Sequence, residues 1–458
     1  MLITTEQQLL LMPLFRSLKK SVESFQMIFN RCQSIALLTA FLLCVLLTIN
    51  APHQFTSCSR SWDQSSPTYQ RIEGVLPAPS LTGNLVGCLT EQPYIVFVPH
   101  DYENNTSRYP TIYFLHGFST TVTNFRNTFL SLEYPTDMIV VIVNGRSIVG
   151  GSFYENSEVT GNWEDYVVQD VVSFIDKQFR TIMNASYRGI SGLSMGGYSA
   201  LNIAMKHPDI FGSVFAISPG LFGPDGIEES QIYKSLCIDY TLDLEAELNA
   251  QENDSVAHSL YLERLNDLIP SDDRRFSLAY GSAFAPNAKI RAPYIDYIFY
   301  RNQGATHENQ TSRLLWETGF GGIQDEVEKY EDGLRSLKAI GIEFSDLDVN
   351  SWIPKGCRYY NKTLSSYNIT MAISNTTYGH ANYLSQRIEE YMLPFFSAVF
   401  QSSQNNQSQS VQDQLMLGII ITISLAIIVV MNVITSRSKI NALSISNPKT
   451  ISIVMSEI

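Results

Sequence analysis

One segment of the chain reads Arg188-Gly-Ile-Ser-Gly-Leu-Ser194-Met-Gly-Gly-Tyr198, with glycines two residues before and two residues after Ser194. β-Prone residues 187–190 lead into it, and a helix-prone run, residues 198–206, follows it. A strand, a sharp turn and a helix in this order present a nucleophilic serine above a sheet. The glycines leave room for the strand and the helix to approach closely, while the turn strains the serine backbone. The segment therefore predicts that Ser194 is a nucleophile.

Strands and helices alternate along the chain on both sides of this segment. Residues 138–144 are a continuous apolar run, which is typical of a strand buried on both faces of a parallel sheet. Further predicted strands cover residues 94–98, 111–115, 211–218, 340–344 and 370–373, and predicted helices cover residues 164–179, 325–338, 356–365 and 386–400. This alternation predicts an α/β fold with a doubly wound, mostly parallel sheet and helices on both faces. Residues 221–292 are acidic and irregular, so we expect an insert after the sixth strand, either a lid or a partner-binding surface.

A serine hydroxyl needs a histidine base, and the histidine needs a carboxylate to orient it. Behind a serine turn of this kind, the acid and then the histidine follow in chain order. His380 is the one histidine that follows the final predicted strand on a glycine-containing loop, so we expect it to be the base. The other six histidines precede the serine, end the helix after it or lie in polar segments with no strand before them: His53, His100, His116, His207, His258 and His307.

The carboxylate should lie at the end of the strand that precedes His380. Asp346 and Asp348 both follow the predicted strand 340–344, and Glu343 lies within it. Strand and loop positions leave these three candidates open.

The oxyanion hole requires two backbone N–H groups beside the serine. One candidate is the amide of Met195, at the start of the predicted helix. The second should come from the loop after strand 111–115, which reads His116-Gly-Phe, and we expect it to be the amide of Phe118. His116 itself is expected to have a structural hydrogen-bonding role.

Charge and cysteine spacing exclude several classes of protein. The formal net charge of −13 and the lack of a basic stripe argue against binding of nucleic acid. The cysteines do not show metal-ligand spacing, so we expect no metal site, and no organic cofactor is implied.

Two apolar segments bracket the chain and predict its relation to a membrane. Residues 35–49 follow several basic residues and suit a signal peptide or signal anchor within residues 1–50. Residues 415–434 carry no charge and are long enough to span a bilayer, and Arg437 and Lys439 follow directly. The basic flank places the tail, residues 435–458, in the cytoplasm. The body would then be lumenal or extracellular, between a polar leader at 51–75 and a polar linker at 401–414.

Asparagine sequons and cysteines agree with passage through the secretory pathway. Nine asparagines begin Asn-x-Ser/Thr, a density typical of a glycoprotein: Asn104, Asn105, Asn184, Asn253, Asn309, Asn361, Asn368, Asn375 and Asn406. Four cysteines lie outside the N-terminal apolar segment and predict two disulfides with three possible pairings: Cys58, Cys88, Cys237 and Cys357.

Several motifs together resemble the Putative esterase family of α/β-hydrolases, which includes esterase D (S-formylglutathione hydrolase), feruloyl-type esterases and mycolyltransferases. They are Arg108-Tyr-Pro-Thr-Ile-Tyr-Phe-Leu-His-Gly-Phe118, Gly151-Ser-Phe-Tyr-Glu-Asn-Ser157, Thr160-Gly-Asn-Trp-Glu-Asp165, Gly192-Leu-Ser-Met-Gly-Gly197, Lys206-His-Pro-Asp-Ile-Phe211, Ala283-Phe-Ala-Pro-Asn287 and Gly379-His380. The resemblance covers about residues 76–400 and implies an α/β-hydrolase domain there. It implies that Ser194 is the nucleophile, that Met195 and Phe118 donate the oxyanion-hole amides, and that Asp348 is the acid, with Asp346 second.

The expected function is that of a membrane-anchored serine carboxylesterase with a Ser194–His380–Asp348 triad. Its substrate would be a small-molecule, lipid or carbohydrate ester, or a thioester, since substrates vary widely within the family. One alternative is an acyltransferase, in which a sugar or lipid hydroxyl replaces water. Another is a non-catalytic ectodomain that retains the hydrolase fold.

Overall fold

The computed structural model describes residues 69–130, 132, 137–224 and 226–446. Its main feature is a sheet of eight strands in the order β1-β2-β4-β3-β5-β6-β7-β8. The strands are β1 Tyr69–Pro77, β2 Glu91–Pro99, β3 Thr111–Leu115, β4 Ile139–Val143, β5 Arg188–Leu193, β6 Ser213–Ile217, β7 Ala339–Ser345 and β8 Ala372–Thr376. The sheet has the strand order and direction of an α/β-hydrolase. The predicted fold class is confirmed in this respect.

The sheet is mixed but mostly parallel. Strands β3 to β8 pair in parallel, whereas β1 pairs with β2 and β2 pairs with β4 in antiparallel fashion. Every residue of β3, β4 and β6 is buried, as expected for continuous apolar strands covered on both faces. β1 alternates mostly between half-buried and exposed positions, and it begins at Tyr69, within the segment predicted as a polar leader.

Helices cover both faces of the sheet. They are α1 Val172–Gln178, α2 Met195–Lys206, α3 Gly226–Glu229, α4 Ser235–Asn249, α5 Asp254–Asn266, α6 Asp273–Phe284, α7 Gln310–Glu317, α8 Ile323–Lys329, α9 Glu331–Ser336, α10 Trp352–Ser366, α11 Leu384–Arg387 and α12 Leu393–Ser446. Two π-helical turns, Tyr166–Val171 and Ile388–Met392, precede α1 and α12. α1, α2, α10 and helices α4 to α6 share one apolar core, whereas the start of α12 packs with residues 122–130 and Leu132 in a second core.

The segment between β6 and β7 differs from its prediction. Residues 221–292, expected to be irregular, contain the four helices α3 to α6. Their acidic surfaces obscure the apolar period, and side-chain caps help to define their starts. Asn253 accepts a hydrogen bond from the amide of Val256, and Asp272 accepts one from that of Arg274. The predicted helix 325–338 is likewise divided, into α8 and α9.

The C-terminal helix is longer than predicted. α12 is continuous through residues 401–414, which were expected to be a linker, and continues to Ser446. Residues Gln412–Asn432 are long and apolar enough to cross a membrane, by length and composition, and they are exposed along the helix. The predicted N-terminal signal segment and residues 447–458 lie outside the described residues.

The expected pair of disulfides does not form. Cys88, Cys237 and Cys357 are free and buried on separate elements, and Cys58 lies outside the described residues. Two disulfides among four cysteines would require a bond between two of these three. Burial raises the pKa of the Cys88 thiol to about 11, so it remains a neutral thiol near pH 7.

Candidate active site

Ser194 stands at the turn between β5 and α2. Its φ is 56° and its ψ is −114°, a conformation that costs energy for a residue with a side chain. Neighbouring backbone holds it there, because its amide donates to the carbonyl of Ile217 at 3.0 Å and its carbonyl accepts from the amide of Gly220 at 3.0 Å. The turn is therefore hydrogen-bonded to the end of β6 and to the residues that follow it.

Two glycines allow this turn to pack against the sheet. A Cβ added to Gly196 would lie 2.1 Å from the carbonyl oxygen of Leu115, and one added to Gly192 would lie 2.3 Å from that of Gly196. Carbon and oxygen cannot approach so closely without moving the backbone. The close approach of strand and helix inferred from the sequence is present in the structure.

The structure brings Ser194, His380 and Asp348 together. His380 Nε2 lies 3.0 Å from Ser194 Oγ, and His380 Nδ1 lies 2.7 Å from Asp348 Oδ2. The Asp348 side chain is fully buried and that of His380 is 21% exposed. The amide of Asn350 donates to Asp348 Oδ1 at 2.8 Å and orients that carboxylate. In such a chain the imidazole donates its Nδ1 proton to the carboxylate, which leaves Nε2 free to accept the serine proton.

The other two carboxylates left open by the sequence have different partners. Asp346 forms an ion pair with Arg358 and accepts a hydrogen bond from Asn375 Nδ2 at 2.7 Å. Its side chain is 52% exposed, and the hydrogen bond from Arg358 lowers its pKa. Glu343 is buried and forms an ion pair with Arg387. Of the three, Asp348 is the one whose carboxylate bonds to His380.

His116 is a structural residue at the end of β3. Its Nε2 accepts a hydrogen bond from the amide of Gly145 at 2.9 Å, so its Nδ1 carries the proton and donates to the carbonyl of Gly117 at 2.9 Å. Burial lowers the pKa of His116 to about 4, so the ring is neutral near pH 7. It thereby connects the loops that follow β3 and β4.

The remaining histidines lie in other surroundings. His207 ends α2 and bonds to Glu164, His258 bonds to the hydroxyl of Tyr294, and His307 lies exposed in the hairpin formed by Phe299–Asn302 and Ala305–Glu308. The carbonyl of His100 accepts a hydrogen bond from Gln70 at the end of β2. His53 lies outside the described residues.

The segments that carry the two candidate oxyanion-hole amides both border Ser194. Met195 is the first residue of α2, where backbone amides have no acceptor within the helix. On the other side, a Cβ added to Gly117 would lie 3.6 Å from Ser194 Cβ. Phe118 is the next residue along the chain.

Helix α6 packs beside Phe118, next to the candidate site. Phe276 packs edge-on against Phe118, with ring centroids 5.1 Å apart, and against Phe153 at 5.6 Å. Arg275 donates to the carbonyl of Ile148 at 2.8 Å and to that of Leu265 at 2.6 Å. These contacts connect the insert to the loop that follows β4. This part of the insert is therefore packed against the candidate site.

The position of Arg387 beside the histidine was not predicted from the sequence. Its guanidinium donates to Glu343 and to the carbonyl of His380 at 2.6 Å. One signal was present, because a lone glutamate within the apolar strand 340–344 requires a buried cation or hydrogen-bond donors. The matching arginine lies far along the chain, and its position there gave no indication of the pairing.

Within the described ranges, no group of three or more histidine, cysteine, aspartate or glutamate side chains is placed to hold a metal ion.

Comparisons with known proteins match the part of the domain that contains Ser194. Residues 89–263 match the family model described as "Putative esterase". Over these residues the chain is similar to the Putative esterase family. An esterase of Mycobacterium tuberculosis is 32% identical over 126 residues, 26% of this chain and 27% of that protein. S-formylglutathione hydrolase of Arabidopsis thaliana is 37% identical over 75 residues, 16% of this chain and 26% of that protein. The chain thus spans about a quarter of the length of these curated relatives.

Solved structures of esterases and related hydrolases are similar at low sequence identity. A ferulic acid esterase is 18% identical with a TM-score of 0.46, over 73% of this chain and all of that one (100%). An S-formylglutathione hydrolase from Agrobacterium tumefaciens is 17% identical with a TM-score of 0.43, over 73% of this chain and 97% of that one. The fold assignment rests on the order and directions of the strands.

Proposed function

We propose that the protein is a serine carboxylesterase that hydrolyses carboxylic esters or thioesters through an acyl-enzyme. The observation that carries the proposal is the continuous chain of hydrogen bonds from Ser194 Oγ through the His380 ring to Asp348, at 3.0 Å and 2.7 Å. The match of residues 89–263 to the Putative esterase model supports the same chemistry.

The mechanism follows from the position of each group. His380 Nε2 removes the proton from Ser194 as the serine oxygen attacks the ester carbonyl, and Asp348 stabilises the imidazolium that forms. The oxyanion is stabilised by the amides of Met195 and Phe118. His380 then protonates the leaving alcohol or thiol. Water enters, loses its proton to the same nitrogen and releases the acid.

The names of the relatives suggest the range of acyl compounds. One relative is an S-formylglutathione hydrolase, and another is an endo-1,4-beta-xylanase/feruloyl esterase of Xylanibacter ruminicola, 24% identical over 158 residues. This second match covers 31% of this chain and 22% of that protein. We place the substrate of this chain in the same broad class of oxygen esters and thioesters.

We further propose that Gln412–Asn432 crosses a membrane and that the candidate site faces away from it. α11 lies near the site, because its last residue, Arg387, contacts the carbonyl of His380. Farther along, Phe396 of α12 packs against Gly189. Gly189 lies at the start of β5, at the end of the strand opposite to Ser194. The helical stretch from Phe400 to Gln412 adds about 18 Å at ~1.5 Å per residue. The membrane span therefore leaves the domain on the side remote from Ser194, which favours substrates in the aqueous phase.

The catalytic domain is proposed to lie in the lumen or outside the cell. Arg437 and Lys439 directly follow the span, and basic residues favour the cytoplasmic side. The eight sequon asparagines whose side chains are described are exposed or half-buried, as glycosylation requires: Asn104, Asn105, Asn184, Asn253, Asn309, Asn361, Asn368 and Asn375. Protease treatment of sealed vesicles tests this orientation. Digestion of the esterase domain from the cytosolic side would overturn it.

Fluorophosphonate labelling of the full chain in native membranes tests the catalytic proposal. The wild type should be labelled at Ser194, and Ser194→Ala and His380→Ala should not, because labelling requires a serine activated by its histidine. Asp346→Asn is a matched control on the acid loop and should label like the wild type. Absence of labelling in a folded wild-type chain would instead favour a non-catalytic domain with this fold.

A further inference from the structure

A fully buried ion pair lies behind the candidate catalytic histidine. Arg387 in α11 and Glu343 in β7 each have a side-chain exposure of 0%. Arg387 Nε and Nη2 donate to Glu343 Oε2 at 2.8 Å and 2.5 Å. The other carboxylate oxygen, Oε1, accepts from the hydroxyl of Thr376 at 2.5 Å, at the end of β8. The pair therefore connects the strands before and after the acid loop with the helix that follows the histidine.

The guanidinium uses its remaining donors on the histidine loop and on β6. Nη1 donates to the carbonyl of His380 at 2.6 Å and to that of Gly379 at 3.3 Å. Nη2 also donates to the hydroxyl of Ser218, directly after β6, at 2.6 Å. An arginine side chain has five N–H donors, and these bonds occupy all of them. Glu343 thus orients a group whose other contacts include the backbone of the histidine.

A contribution to the stability of the fold does not by itself explain why this buried ion pair is present. Burying two charges costs several kcal/mol per ion, and apolar side chains of similar volume can often replace a buried pair without loss of stability. The loop has a separate need for support, since Gly379 has a φ of +77° and Tyr383 a φ of 55° on either side of the histidine. The hydrogen bonds from Arg387 to the carbonyls of Gly379 and His380 restrict this segment beside the positive φ of Gly379.

We propose that Arg387, oriented by Glu343, is a positioning residue that holds His380 between Ser194 and Asp348. This role rests on the proposed esterase function, because it acts through the histidine of that mechanism. The imidazole must satisfy two hydrogen bonds at opposite nitrogens, so a shift of its backbone lengthens at least one of them. A misplacement of about 1 Å in a catalytic group can cost about 100-fold in rate.

The test is the double variant Arg387→Met/Glu343→Gln in the full chain. It removes both charges together and leaves no uncompensated buried ion. Its matched control is Arg188→Met/Asp176→Asn, because Arg188 begins β5 at the edge remote from the site. Arg188 Nη2 lies 2.8 Å from Asp176, with side chains 8% and 13% exposed, and its Nη1 donates to the carbonyl of Ile210 at 3.0 Å.

Steady-state hydrolysis of a short-chain ester and thermal unfolding are measured for both double variants. We expect kcat of Arg387→Met/Glu343→Gln to fall about 100-fold with KM within about twofold, because substrate binding is retained. The control should keep the wild-type kcat. Wild-type kcat in the folded site variant, or an equal loss of kcat in both variants, would overturn the positioning role.

Should the double variant fail to fold, Arg387→Ala prepared in millimolar guanidinium, which can pair with the buried Glu343, provides a second measurement. Its cavity has room for a free guanidinium ion, so millimolar guanidinium should restore fluorophosphonate labelling, whereas urea at the same concentration should not. Equal labelling with and without guanidinium in a folded chain would contradict the role. A wild-type chain that fails to label would overturn the esterase proposal itself, whereas a labelled wild type with an unaffected Arg387 variant would overturn only the positioning role.

Discussion

The serine side and the histidine side of the candidate site are supported by different contacts. Around Ser194 the support is backbone, in the bonds to Ile217 and Gly220 and in the approach of Gly196 to β3. Around His380 the support comes from side chains distant in the sequence, namely Asp348 and Arg387. The first arrangement is encoded by a short run of residues, whereas the second depends on the fold being complete. Substitutions should therefore affect the two sides differently.

The largest effect is expected from the acid on the histidine side. Asp348→Asn should lower kcat/KM by about 10³- to 10⁴-fold, because an amide cannot stabilise the imidazolium and favours the wrong tautomer. Asp346→Asn, two residues away, should change kcat/KM by less than about threefold, since Asp346 pairs with Arg358 at the surface. Ester hydrolysis by the two purified variants measures this difference. A larger loss in Asp346→Asn would reassign the acid.

On the serine side, Gly196→Ala should disrupt folding. The added methyl group would lie 2.1 Å from the carbonyl of Leu115, and only a backbone movement can relieve that contact. We expect a loss of about 3 kcal/mol or more in the free energy of unfolding. Gly223→Ala is the control, because no atom lies within 4 Å of its added Cβ. Urea denaturation of both variants compares them, and equal stability would contradict the packing argument.

His116, which connects the loops after β3 and β4, should make the stability of the protein depend on pH. The pKa of His116 is lowered to about 4 in the folded chain, below its ordinary value of 6.5. The unfolded chain therefore binds this proton first, and stability is lost as the pH falls from 6.5 towards 4. Relative to His116→Gln, the wild type should lose roughly 3 kcal/mol over that interval. Urea denaturation at several pH values measures it, and parallel curves for the two proteins would contradict the neutral buried ring.

The smallest loss of stability is expected from a substitution at Gly379, in the loop that carries His380. Gly379 has a φ of +77°, but the nearest atom to an added Cβ is Asn382 Nδ2 at 3.5 Å. Gly379→Ala should therefore cost about 1 kcal/mol of stability through strain alone. Thermal unfolding of the variant checks this value. A loss as large as that of Gly196→Ala would show that the two sides are equally tightly packed.

Much of the fold could be predicted because strong periodic patterns mark its elements. Strand 111–115 was located as observed, and apolar β4 within a residue at either end. Helices α4 to α6 were missed, since their acidic surfaces weaken the apolar period, and β1 was missed because it alternates at the sheet edge. The linker expected at 401–414 is helical, although its polar composition gave no such signal. In each case packing or an adjoining helix decided the conformation of a weakly patterned segment.

The sequence by itself determined the strained serine turn, since its glycines, strand and helix are neighbours in the chain and their steric requirements are local. It also determined the order in which the acid and the histidine follow. It left open which of Glu343, Asp346 and Asp348 faces the histidine. Tertiary structure decided that question, because Arg387 and Arg358 pair with two of these carboxylates and leave Asp348 to His380. Those arginines come from separate helices, and their charges meet the carboxylates only after the chain has folded.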